Sequence, residues 1–157
     1  MSDKGTLLPL NILRAEKGCT EVAPALLGIS PRSFVSGSPS DDRLKIRYSR
    51  REEDNALVGK VWFGPNTEGL PGYIHNGSIA AVLNEAMGGA ARIAGHTVFN
   101  VRLNVQFFQM APLGLEMKVE AWVGHVGAHT VSVCSRLWDS DNELYAEGTG
   151  LFANIKK

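Results

Sequence analysis

Apolar positions along the chain change period twice, and the changes divide it into elements. Over residues 43–50 they alternate, with Leu44, Ile46 and Tyr48 on one face. After a charged turn at 51–55 the alternation resumes over 57–63, so the two segments read as a hairpin. Residues 64–73 (GPNTEGLPGY) are dense in turn formers and predict a loop. From Asn76 to about Gly95 the spacing becomes three and four: Ile79, Val82, Leu83, Ala86, Met87, Ala90 and Ala94, with no proline. That pattern predicts a helix of about five turns. Two-residue alternation then returns over 98–109, 115–124, 130–139 and 144–154, parted by short turn sequences. A hairpin, one helix and a run of strands give an α+β fold with an antiparallel sheet of five to six strands.

Composition narrows this picture. With 157 residues and 44% hydrophobic positions the chain can bury one core. Residues 28–42 (GISPRSFVSGSPSDD) read as loop, so 1–40 is taken as an N-terminal extension and 41–157 as a single domain. Lys plus Arg and Asp plus Glu number 16 each. The balance leaves no broad attraction to nucleic acid or to an anionic membrane, and a phosphate-bearing partner must be held locally. No run approaches the roughly 20 apolar residues of a membrane span, and residues 1–10 lack the features of a secretory signal. A cytoplasmic protein is expected. Cys19 and Cys134 lie far apart, fit no metal-ligand spacing and are taken as reduced packing residues. The aromatic set Trp62, Phe63, Phe107, Phe108, Trp122 and Trp138 is assigned to the core. Gly88 and Gly89 in mid-helix each cost on the order of 1 kcal/mol relative to Ala. Their presence implies close contact, such as a sheet wrapped round the helix.

The candidate chemistry lies where the loop meets the helix. Residues 69–78 (GLPGYIHNGS) place unsatisfied backbone N–H groups beside His75, with no large side chain at Gly77. Such a terminus suits a developing oxyanion. The same residues admit a purely structural reading, with Asn76 as N-cap and His75 packed behind it. The Asn76-Gly77-Ser78 match to a glycosylation acceptor is a coincidence in a cytoplasmic chain.

Residues 63–91 resemble the PaaI-like (phenylacetate-pathway) branch of hotdog-fold thioesterases. That family carries His-Gly-Gly, six residues, then Asp or Glu; here stand His75-Asn76-Gly77, six residues, then Asn84 with Glu85 next. Gly64-Pro65, residues 68–72 (EGLPG) and 105–114 (VQFFQMAPLG) are similar to the family's approach loop and first long strand, and the resemblance runs from about 43 to 154. It implies a hotdog fold and hydrolysis of an acyl-CoA or acyl-carrier-protein thioester. It implies no metal and no cofactor, coenzyme A entering only as part of the substrate. It also implies a homodimer, or a tetramer of two dimers, with sites between subunits that hide a bare sheet edge. In that site the Gly77 amide would receive the carbonyl oxygen, Asn76 and Ser78 would flank the substrate, His75 would stiffen the junction and Asn66 would help hold water.

Asn84 occupies the position of the family's catalytic carboxylate. An amide has no basic oxygen near neutral pH, although it can orient a water. Three readings stay open: an Asp-to-Asn form that binds substrate and turns it over slowly; Glu85 as the base; or recruitment as a lyase, isomerase, cyclase or non-hydrolytic acyl-binding protein. Helical geometry puts Asn84 on the face of Gly77, Ala80, Ala81, Gly88 and Ala91, and turns Glu85 about 100° away toward Ser78, Gly89 and Arg92. Glu85 also reads as a solvated or ion-paired position. Arg102 lies near where relatives often place a Ser or Thr that positions water. Residues 124–130 (GHVGAHT) offer His125 and His129 where relatives present arginines to coenzyme A, with Arg102, Lys118 and Arg136 as replacements. Two histidines without a third ligand do not make a zinc site.

Overall fold

The three- and four-residue spacing is realised as one helix, α1 (Asn76–Ile93), in a computed structural model that describes residues 14–39 and 42–155. The sequence reading of residues 1–10 lies outside the described residues. α1 buries Ile79, Val82, Leu83, Ala86 and Met87 against a single sheet. The strands are β1 (Cys19–Glu21), β2 (Leu44–Arg51), β3 (Leu57–Phe63), β4 (Val98–Phe107), β5 (Glu116–Val126), β6 (Thr130–Asp139) and β7 (Leu144–Asn154). Their order across the sheet is β1-β2-β3-β5-β6-β7-β4, and every pairing is antiparallel.

Alternation decides which face meets the helix. Met117, Val119 and Ala121 of β5 and Val131, Val133 and Leu137 of β6 point inward and are buried. Lys118, Glu120 and Arg136 point outward, where Arg51 pairs with Glu120 and Lys60 with Glu116. A Cβ at Gly148 of β7 would lie 2.6 Å from Ser135 Oγ on β6, and 3.4 and 3.5 Å from Leu83 Cδ1 and Met87 Cε on the helix.

Three expectations change. The sheet has seven strands rather than five to six, since Cys19–Glu21 adds a strand to β2, too short to show alternation. With it Leu27 enters the core at 3% exposure, so the ordered domain begins ahead of residue 41. Four of the aromatic residues are not core: Phe107 and Phe108 are 36% and 46% exposed at the end of β4, and Trp122 and Trp138 lie half-buried on the outer face of the sheet beside Arg136 and Lys118. Gly89 meets the close contact expected of it, a Cβ there lying 2.9 Å from Leu57 Cδ2, whereas at Gly88 the nearest atom would be Phe152 Cε1 at 3.9 Å. Among the described residues no helix is long and apolar enough to cross a membrane.

Candidate functional site

His75, not Asn76, is the N-cap of α1. Its backbone is extended (φ −63°, ψ 130°) and its Nδ1 accepts the Gly77 N–H at 2.8 Å, an imidazole doing what an Asn or Asp oxygen usually does. The junction is fixed from behind: the His75 N–H donates to Thr67 O at 2.7 Å and the Ile74 N–H to Ala111 O at 2.8 Å. Glycine at 77 follows from this cap, because a Cβ there would sit 2.8 Å from His75 Nδ1. The Gly77 amide is therefore occupied in the single chain. The neighbouring Asn76 N–H has no partner among the described residues. His75, Gly77 and Ser78 border a cleft of about 310 Å³, with Thr67, Phe34 and Arg43 opposite.

Asn84 opens onto a different and larger cavity, of about 510 Å³. Its Oδ1 is buried and accepts no hydrogen bond, a state that costs about 1–3 kcal/mol when nothing answers it. Asn76 and Asn84 are eight residues apart, which at 1.5 Å per residue separates them by about 12 Å along the helix.

Glu85 is committed elsewhere. Ser33 Oγ donates to its Oε2 at 2.6 Å, Ser36 Oγ to the same oxygen at 3.0 Å, and Tyr48 OH to its Oε1 at 2.9 Å. These bonds tie the loop at 28–39 across the helix, and Val35 of that loop borders both cavities. Burial first, then the Glu85 charge and the hydrogen bond to it, push the Tyr48 hydroxyl well above the usual tyrosine range. The sequence carried no sign of this clamp, since the partners of Glu85 lie 52, 49 and 37 residues away in the chain.

The remaining candidates disperse. Asn66 is exposed and donates from Nδ2 to Asp42 Oδ2 at 2.8 Å, outside both cavities. Arg102 is exposed on β4, just past a register shift at 100/102. His129 is exposed in the β5–β6 turn, where its carbonyl accepts the Asn154 N–H. Lys118 and Arg136 are held on the outer face of the sheet by Glu16 and Glu147 and lie over Trp138 and Trp122. Of the residues singled out from sequence, the structure thus groups His75, Gly77 and Ser78 in one cavity and Asn84 with Glu85 in another.

Residues 71–146, which include the helix, β4, β5, β6 and the start of β7, match the family model described as Thioesterase superfamily. The chain has the hotdog fold and is similar in sequence to that superfamily over this stretch. Acyl-coenzyme A thioesterase THEM5 of Mus musculus is 29% identical to this chain over 94 residues, covering 59% of the chain and 38% of the relative. The chain therefore matches well under half the length of that curated relative. Among solved structures, the PaaI protein of the E. coli phenylacetic acid degradation operon superposes with a TM-score of 0.63 at 14% identity, covering 71% of this chain and 82% of the other. A thioesterase protein with coenzyme A from Streptococcus pneumoniae gives 0.63 at 11% identity, covering 73% and 88%. At those identities the two structures support the fold.

Proposed function

We propose that the protein hydrolyses acyl-CoA thioesters at sites formed between two copies of the chain. The observation that carries this reading is the separation of the two half-sites. A free amide at the helix start and an unpartnered Asn84 Oδ1 lie about 12 Å apart on one helix, too far to act on one carbonyl from the same chain. A second copy supplies the missing half, with the helix start of one subunit facing Asn84 of the other.

The edge of the sheet supports pairing. β4 is the last strand and leaves Phe99, Val101 and Leu103 at 53%, 48% and 40% exposure. A long apolar edge of this kind is normally covered. In the assembled site the thioester oxygen is held by the helix-start amides, Asn76 foremost, because Gly77 is shared with His75. Asn84 Oδ1 accepts a hydrogen bond from the attacking water and orients it. An amide does not take up the proton, so that proton passes to solvent, the carbon–sulfur bond breaks, and the departing thiolate takes a proton from solvent to leave as the thiol. The chemistry is slower than with a carboxylate at this position. The mouse relative's name and the coenzyme A in the Streptococcus pneumoniae structure point to the same substrate class.

Release of free thiol from a panel of acyl-CoAs tests this. A positioned general base contributes on the order of 10²–10⁴-fold, so Asn84→Asp is expected to raise turnover by about 100-fold or more. No thiol released by either protein sinks the proposal, and binding without release would favour an acyl-binding role.

A further inference from the structure

We infer that the far end of the Asn84 cavity is an anion subsite of the substrate site, with Arg92 as its cation; the inference rests on the thioester reading above. The cavity follows α1 from Asn84 past Gly88 to Arg92, about 12 Å along the axis. Its middle is apolar and roomy. Phe99 and Phe152 border it, and a Cβ at Gly88 would touch only Phe152 Cε1, at 3.9 Å.

The far end is different in kind. Arg92 stands there beside His96, and its one hydrogen bond among the described residues is a long one, Nη1 to Thr97 Oγ1 at 3.4 Å. Arg47, Arg51 and Arg136 on the sheet each hold a carboxylate, at 2.6, 2.7 and 3.3 Å, and no such ion pair is found for Arg92 among the described residues. Glu85, the acidic group that borders the same cavity, has its oxygens taken by three hydroxyls and does not answer Arg92. Nor is the guanidinium spent on the helix end. Ala90 O accepts from the Ala94 N–H, Ala91 O from His96 and Arg92 O from Gly95. The stem passes Gly28 (φ +73°), where a Cβ would lie 3.9 Å from Arg92 Cδ and Nε. A solvent-exposed cation at the end of an apolar channel, without a carboxylate partner among the described residues, selects a ligand that is apolar along its length and anionic at its tip.

Two parts of an acyl thioester can supply that anion: a carboxylate at the distal end of the acyl group, or the phosphates of coenzyme A. The test uses non-hydrolysable thioether analogues in four combinations. The thiol part is coenzyme A or neutral N-acetylcysteamine, and the acyl part is neutral or carries a distal carboxylate. Each is titrated by calorimetry into wild type, Arg92→Ala and Arg92→Gln, the last keeping the stem over Gly28. Both variants are expected to weaken an anionic analogue by about tenfold or more and to leave the fully neutral analogue within about twofold of wild type. Loss that follows the carboxylate on either thiol assigns the subsite to the acyl group; loss that follows coenzyme A with either acyl group assigns it to the phosphates. Equal weakening of all four analogues, or of none, overturns the inference while leaving the thioester reading standing. Failure of wild type to bind any analogue removes both.

Discussion

Tyr48 on β2 donates its hydroxyl to Glu85 Oε1 on α1 at 2.9 Å, from a position only 2% exposed. Burial, the Glu85 charge and this bond all favour the neutral phenol, so its pKa in the folded protein lies well above the ordinary 10.0. The stabilisation is fully present below pH 10 and is lost as the pH rises beyond it, because the unfolded chain ionises there and the folded chain does not. Tyr48→Phe removes the titrating group. The variant is expected to be less stable by about 1 kcal/mol at pH 7, with a flatter decline above pH 10. Urea denaturation at pH 7, 9 and 10.5 checks both, and equal alkaline slopes would show that Tyr48 ionises freely in the fold.

Glu85 stands next to Asn84 in the chain, but its oxygens already accept from Ser33, Ser36 and Tyr48. A carboxylate so occupied anchors the loop rather than activating water. Glu85→Gln, which still accepts at its carbonyl oxygen, is expected to change thiol release by less than about threefold, whereas loss of a true general base costs on the order of 100-fold. A loss of that larger size would move the base from water and Asn84 to Glu85.

Gly88 and Gly89 are adjacent and opposite in environment. A methyl at 88 enters open cavity, and one at 89 lies 2.9 Å from Leu57 Cδ2 and 3.5 Å from Leu27 Cβ. Gly88→Ala is expected to stabilise the fold by about 1 kcal/mol from helix propensity alone. Gly89→Ala is expected to gain less or to lose, since the Leu57 side chain must shift. Thermal melts of the two variants side by side decide it.

How much of this was legible follows from the range of each signal. β3, β6 and β7 fall on the residues predicted as strands; β6 is half-buried and writes its burial into period two, whereas β3 is buried at six of its seven positions. α1 was legible for the same reason at a period near 3.6. β1 was not, since three residues carry no period and its place is set by pairing with Arg51, Arg50 and Ser49. The site was legible only as residue types. His75, Gly77 and Asn84 were all singled out, but sequence spacing could not tell that His75 would consume the Gly77 amide. Nor could it tell that the helix start and Asn84 would open onto separate cavities. The Glu85 clamp and the distal position of Arg92 depend on where residues 28–39 fold back, which only tertiary structure decides.

On the proposed reading, the separation of the half-sites ties activity to assembly. If Asn76 of one subunit must face Asn84 of another, the monomer has no complete site, however well folded it is. Leu103 lies in the middle of the exposed edge strand β4, at 40% exposure, and belongs to neither cavity. Leu103→Glu would place an unpaired charge in the paired edge at a cost of several kcal/mol, on the order of a hundredfold or more in the dimer dissociation constant. The single-chain fold should keep its stability, because the position faces solvent there. Sedimentation across a concentration series, run alongside the thiol-release assay, is expected to show dissociation and loss of turnover in step, with recovery of both at high protein concentration. A monomeric Leu103→Glu that still releases thiol at the wild-type rate would place the entire site within one chain, and the division of labour between Asn76 and Asn84 would fail with it.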